Sequence, residues 1–213
     1  MSSYYPVMLK LKEKKVLVIG GGQVATRKIS SLLTAQAQVE VISPEASEQI
    51  IRWAQLKQLK WNEKSFEATD ITEAFLVLAA TNHSIINKEV YQVCASAGIP
   101  LVSIVDRPDL SNFILPATLR RGKLIITVST SGASPSLAQR MKEELAEQYD
   151  HSYEEYLRFL EACREQVLHQ VQDLSRRRRI LKAVSQPYFQ ELTKLGLYAE
   201  RDEHFTQMLQ EDE

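Results

Sequence analysis

A chain of 213 residues carries one large domain, or a medium domain with an appendage, and has the length to bury about 70% of its unfolded surface. Its 26 Lys plus Arg against 27 Asp plus Glu give a formal net charge of -1, which excludes the global basic field that nucleic acid attracts, so an anionic ligand has to be met by local clusters. Cys94 and Cys163 stand far apart without CxxC or Cys/His spacing, and His83, His151, His169 and His204 form no metal-binding spacing; no metal site or disulfide framework is expected, and both cysteines read as small buried hydrophobes.

The N-terminus, "MSSYYPVMLKLKEKK", has no sustained apolar run before a small-residue cleavage site, and no segment approaches the roughly 18 apolar residues of a membrane span. A cytoplasmic protein with no membrane partner is the expectation. Residues 15–19 read as a strand, 24–35 as a helix, 39–42 as a second strand and 46–56 as a second helix. "FLVLAATN" and "IPLVSIVD" supply two more buried strands, and "HSIINKEVYQVCASAG" between them reads as a helix ending at Gly98. Strand and helix in strict alternation predict an α/β fold with a parallel sheet covered on both faces.

The pattern changes after Pro116. "TLRRGKLIITVST" reads as a turn followed by a β-rich segment, which left alone would present unpaired strand edges. In "SGASPSLAQRMKEELAEQY", Ser134 is an N-cap candidate with Pro135 at the first helical position. The remainder is helical in character, with Tyr156, Leu160, Cys163, Val167, Val171 and Leu174 forming one apolar stripe at spacings of three and four. The division expected is a Rossmann-type domain over 1–115, a small β/α segment over 116–149 and a helical domain over 150–213.

The first strand runs into Gly20-Gly21-Gly22-Gln23-Val24-Ala25, a G-x-G-x-x-A variant of the dinucleotide fingerprint. Gly20 permits the tight turn, Gly22 lets the backbone approach a pyrophosphate, and Ala25 allows close packing of helix on strand. The helix-start amides then face the phosphate charge. The bland alternative is a glycine-rich connector, but this turn opens a series of β/α alternations. The acid that commonly binds the ribose hydroxyls is absent from the end of "VEVIS", where Ser43 stands with Pro44 and Glu45 following. Ser43 can hydrogen-bond a ribose hydroxyl, and Arg52 is too far along to clamp a 2′-phosphate, which favours NAD over NADP. Ala79, Ala80 and Thr81 fall at the carboxyl edge of the sheet and line the same crevice, or are simply small residues at a crowded strand end. Asp106, closing "IPLVSIVD", stands where a carboxylate could take a proton during hydride transfer, although Asp before x-Pro is also a common turn former.

"GGGQVATRK", "AATNH", "VSIVDRPDLSNFILPA" and "VSTSGASPSLAQRMKEEL" occur together and in this order. In this the chain resembles the precorrin-2 dehydrogenase family, including the N-terminal part of bifunctional sirohaem synthases. The resemblance covers residues 1 to about 150 well and the C-terminal helices loosely. It implies NAD-dependent oxidation of precorrin-2 to sirohydrochlorin in a homodimer built by the segment after the Rossmann domain. It also implies a catalytic role for Asp106 and NAD contacts at Gln23, Val24, Pro44 and Glu45. Where some members carry a second serine, this chain has Thr130 in "STSG".

A polycarboxylate substrate gives the local cations a task. Arg120, Arg121 and Lys123 in "LRRGK", and Arg176 to Arg179 in "SRRRR", can neutralise carboxylates, the second run being equally readable as a solvated face or a partner contact. Thr130 and the helix-start amides at Ser134 offer a further carboxylate site. Two other readings stay open: the same enzyme with added ferrochelatase activity, and a non-catalytic NAD-sensing Rossmann module.

Overall fold

The computed structural model describes residues 4–105 and 107–210, so Asp106 lies outside the described residues. The chain divides into two compact units, Met1–Leu115 and Pro116–Glu213.

The first unit alternates strand and helix: β1 (Lys15–Ile19), α1 (Gln23–Thr34), β2 (Gln38–Ile42), α2 (Glu48–Gln55), β3 (Lys60–Asn62), β4 (Leu76–Ala79), α3 (Ser84–Ser96) and β5 (Leu101–Ile104). The five strands form a parallel sheet in the order β3-β2-β1-β4-β5. The period-two geometry of β1 sends Val16 and Val18 to one face, where they pack with Ala25, Ile29 and Leu32 of α1 and Ile50 of α2. Leu17 and Ile19 go to the other, with Val90 and Cys94 of α3. Burial on both faces is why β1 and β4 are continuous apolar runs rather than alternating ones.

The strand β3 escaped the sequence reading. Its three residues, "KWN", are too few to show a period, and it is defined by pairing with β2 in the register Val41 with Trp61. The helix read over residues 46–56 is shorter, with Ser47 outside it as the N-cap accepting from the Ile50 amide. The β5 edge is covered by the loop that follows: Asn112 donates its amide to the Val102 carbonyl at 3.0 Å and accepts the Val102 amide on Oδ1 at 2.9 Å.

In the second unit β6 (Ala117–Arg121) and β7 (Leu124–Val128) pair antiparallel, and α4 (Pro135–Gln148) packs on both. Four helices follow: α5 (Ser152–Gln170), α6 (Leu174–Val184), α7 (Pro187–Lys194) and α8 (Tyr198–Gln210). Two expectations are corrected. "TLRR" is strand rather than turn, the reversal falling at Gly122 with φ +55°. The apolar stripe ends at Val171, which caps α5, while Leu174 starts α6 and is 64% exposed. The core of these helices is aromatic: Phe159 stacks on Phe189 at 5.8 Å and meets Phe205 edge-on at 5.9 Å. The buried Arg201 lies over the Phe159 ring at 4.1 Å and donates to the Thr193 hydroxyl, which supplies partners for its charge inside an apolar cluster.

Candidate active site

The strand order reverses at β1: β2 and β3 lie to one side and β4 and β5 to the other, so a crevice opens beyond the carboxyl ends of β1 and β4. Three segments meet there. Gly20 adopts φ +113°, and a Cβ at that position would stand 2.5 Å from the Ala80 carbonyl oxygen. Gly21 is as tightly held, since its Cβ would stand 2.2 Å from the Glu45 carbonyl oxygen. Gly22 differs: among the described residues, a Cβ there meets nothing within 4 Å. The first two glycines are therefore demanded by the protein's own backbone, while the third keeps a space clear.

That space lies at the start of α1. Gly22 is the N-cap, no side chain caps the helix, and no acidic residue stands in its first turn. The first amides of an α-helix lack intrahelical partners and carry the positive end of its dipole. An uncapped helix start with a cleared space before it suits a pyrophosphate. The turn is braced from behind by residues that the motif does not name: Ser47 donates its amide to the Gly21 carbonyl at 2.8 Å, and its hydroxyl bonds that of Thr26 at 2.7 Å. Ala25 is fully buried against the sheet.

Beyond β2, Ser43 is 9% exposed and its carbonyl accepts the Trp61 indole N–H at 3.1 Å, so β3 steadies the turn from which Pro44 and Glu45 project into solvent. Beyond β4, Thr81 is fixed by Asn87 of α3. The Thr81 hydroxyl donates to Asn87 Oδ1 at 2.8 Å and accepts the His83 amide at 3.1 Å, while Asn87 Nδ2 donates to the Thr81 carbonyl at 3.1 Å. Beyond β5, the Val105 amide donates to the Ala79 carbonyl at 2.9 Å and the Ser111 hydroxyl accepts the Ile104 amide at 2.9 Å. Arg107 holds Asp109 through both guanidinium and carboxylate ends, at 2.9 and 2.6 Å, and this pairing draws the Asp109 carboxyl below its usual range.

The structure thus brings Gly20, Gly22, Gln23, Val24, Ser43, Pro44, Glu45, Ala80 and Thr81 to one end of one sheet. Thr26, Ser47 and Asn87 were not read from the sequence as part of this end. Ser47 was legible as an N-cap, and Asn87 as a polar residue in step with the buried Val90 and Cys94 of its helix. A cleft of about 710 Å³, lined in part by Lys15, Gln38, Lys60 and Trp61, lies at the opposite end of the strands. There Lys15 and Lys60 already pair with Glu40.

In the second unit the candidate cations have different tasks. Arg121 is half-buried and donates to the Tyr149 carbonyl at 3.0 Å and the Ala146 carbonyl at 3.3 Å, the unsatisfied carbonyls at the end of α4. Arg177 likewise donates to the carbonyls of Leu168 and Val171 that end α5, and Arg176 to that of Leu209 near the end of α8. Lys123 pairs with Glu161. Arg120 is exposed on β6. Thr130 and Ser134 are neighbours: the Thr130 hydroxyl accepts the Ser134 amide at 3.0 Å, and the Ser134 hydroxyl accepts the Leu137 amide at 3.2 Å as the N-cap of α4. Among the described residues no group of three His, Cys, Asp or Glu is placed to hold a metal ion, and no helix is long and apolar enough to cross a membrane.

Comparison with known proteins gives these arrangements a setting. An NAD(P)-binding family model matches residues 7–117, and the model of the central part of sirohaem biosynthesis proteins matches residues 121–148. The precorrin-2 dehydrogenase of Priestia megaterium is 39% identical over 160 residues, covering 75% of this chain and 78% of that protein. The siroheme synthase of Ruthia magnifica subsp. Calyptogena magnifica is 34% identical over 199 residues, 93% of this chain but 40% of that protein, so the chain spans about two fifths of that longer relative. The solved structure of SirC, a precorrin-2 dehydrogenase, superposes with a TM-score of 0.80 at 33% identity, over 97% of this chain and 99% of that one.

Proposed function

Because the chain belongs to the precorrin-2 dehydrogenase family, we propose that it oxidises precorrin-2 to sirohydrochlorin with NAD as the acceptor. The observation that carries this reading is the glycine turn: two glycines locked against Ala80 and Glu45, and a third left open before an uncapped helix start. NAD, when bound, supplies the site that takes up a hydride. The chain's own residues do the rest. Amides of Gln23 and Val24 receive the pyrophosphate, and Ser43, Pro44 and Glu45 meet the adenosine half. Ala80 and Thr81, across β1 from that turn, meet the nicotinamide half.

Removing two hydrogens from a tetrapyrrole as hydride and proton calls for a base, and we assign that task to Asp106 by its place in the family motif. Arg120, and the Thr130–Ser134 helix start of α4, are groups of the second unit that fit substrate carboxylates, whereas Arg121, on β6, is engaged by the far end of α4. The two-stranded β6–β7 sheet has outer edges without a partner strand among the described residues, which supports a homodimer formed through it. Titration of the protein with NAD and with NADP by calorimetry tests the cofactor. Tight binding of NAD alone fits this reading, and failure to bind either dinucleotide would end it.

A further inference from the structure

A hydroxyl group has one hydrogen to give, and its direction decides what a ligand can offer it. The Thr81 hydroxyl has two acceptors in reach, Asn87 Oδ1 at 2.8 Å and the His83 carbonyl at 3.2 Å; it gives its hydrogen to the nearer, Asn87 Oδ1, and takes one from the His83 amide at 3.1 Å. Its hydrogen is spent within the protein, and what it has left for a ligand is a lone pair. Asn87 cannot be turned to reverse this, because its Nδ2 donates to the Thr81 carbonyl at 3.1 Å and Oδ1 also lies 3.4 Å from the Thr81 amide. A flipped amide would set NH2 against N–H and oxygen against oxygen. Asn87 itself is 7% exposed and sits one turn into α3, on the face that carries the buried Val90 and Cys94. A buried amide with both ends engaged in this way is expensive to disturb. The preceding residue, Ala80, is the one whose carbonyl abuts Gly20.

We infer that Asn87 is a positioning residue for the cofactor: it fixes the Thr81 hydroxyl as a hydrogen-bond acceptor, and so selects a donor on the nicotinamide half of the dinucleotide. The inference rests on the NAD-binding reading above. Two groups on that half carry donors, the ribose hydroxyls and the carboxamide NH2. Both have the required chemistry, whereas the pyrophosphate has only acceptors and would be repelled by the exposed lone pair. Asn87 does not touch the ligand and acts through Thr81.

The test compares ligands as well as variants. Calorimetry with NAD, ADP-ribose and ADP is run on the wild-type protein, Asn87→Ala, Thr81→Val and Thr81→Ser, with thermal unfolding recorded for each. Loss of one hydrogen bond predicts about five- to tenfold weaker NAD binding in Asn87→Ala and Thr81→Val, and recovery in Thr81→Ser. ADP, which lacks the nicotinamide half, should bind all four proteins within about twofold. If ADP-ribose shows the same loss as NAD, the donor is a ribose hydroxyl; if it shows none, the donor is the carboxamide. Equal loss for ADP and NAD, or no loss for NAD in a folded Asn87→Ala protein, would overturn the inference. A wild-type protein that binds no NAD would instead remove the reading it rests on.

Discussion

The substitution Gly22→Asp separates binding from folding more sharply than any other at the crevice. Gly22 has φ -79° and ψ -174°, an extended conformation open to every residue, and a Cβ there meets no atom of the described residues within 4 Å. It is also an N-cap without a side-chain cap, a position at which Asp is favoured over Gly by a few tenths of a kcal/mol. The folded protein should therefore be as stable as before or slightly more so. The carboxylate would occupy the cleared space, engage the amides meant for the pyrophosphate and repel it. With an effective dielectric of about 20 and a separation of about 4.5 Å, one such pair of charges costs about 3.7 kcal/mol, roughly 500-fold in affinity. Gly20→Ala is the contrasting control, since φ +113° and a 2.5 Å approach to the Ala80 carbonyl predict about 2–4 kcal/mol of lost stability. Calorimetry with NAD and thermal melts on both variants provide the readout. An NAD affinity within about threefold of wild type in Gly22→Asp, or a destabilisation matching that of Gly20→Ala, would refute the reasoning.

Asp106→Asn should lower turnover by about 10²- to 10⁴-fold with KM little changed if the carboxylate takes a proton; steady-state kinetics showing mainly a raised KM would make it a binding residue. Arg120→Ala should raise KM for the tetrapyrrole while leaving the melting temperature in place, whereas Arg121→Ala should cost about 1–2 kcal/mol in denaturant unfolding, because it uncaps the carbonyls of Tyr149 and Ala146. Burial pushes the Cys94 thiol up to about 11 and the Cys163 thiol up to about 12, so neither should react with a disulfide reagent near neutral pH until the protein unfolds. Since the folded values lie above the unfolded ones and the protonated thiol is neutral, this contribution to stability is complete below the ordinary thiol range and declines as pH rises through it, which alkaline melts would follow. Sedimentation should give a dimer at micromolar concentration, and a monomer would count against an interface through β6 and β7.

The parallel α/β unit was legible because burial on both sheet faces leaves continuous apolar runs such as "VLVI" and "LVLA". The glycine turn was legible for a similar reason, since a backbone that must pass within contact of Ala80 and Glu45 tolerates no side chain. Strand β3 was hidden because three residues carry no period, and its identity comes from a partner distant in sequence. The roles of Arg121 and Arg177 were hidden because a cation in sequence shows its charge and not what it bonds. Arg121 caps a helix end formed well away in the chain, and Arg177 turns back from the first turn of α6 to the end of the helix before it, contacts that exist only once the helices are in place. Asn87 and Ser47 lay between these cases. Their positions on a buried helix face and before a helix were visible, but the bond of Ser47 to Gly21 depends on two loops meeting at the sheet's end, and those of Asn87 to Thr81 on how the loop between β4 and α3 folds back on its helix.

The central claim is that this chain carries out a two-electron oxidation of a tetrapyrrole with NAD. Its most direct measurement is the absorbance of the purified protein incubated with precorrin-2 and NAD, with oxygen excluded. NADH and sirohydrochlorin appearing together in equal amounts, with neither formed when NAD is omitted, is the predicted result. A precorrin-2 spectrum that persists unchanged, in a protein that calorimetry shows to have NAD bound, would contradict it.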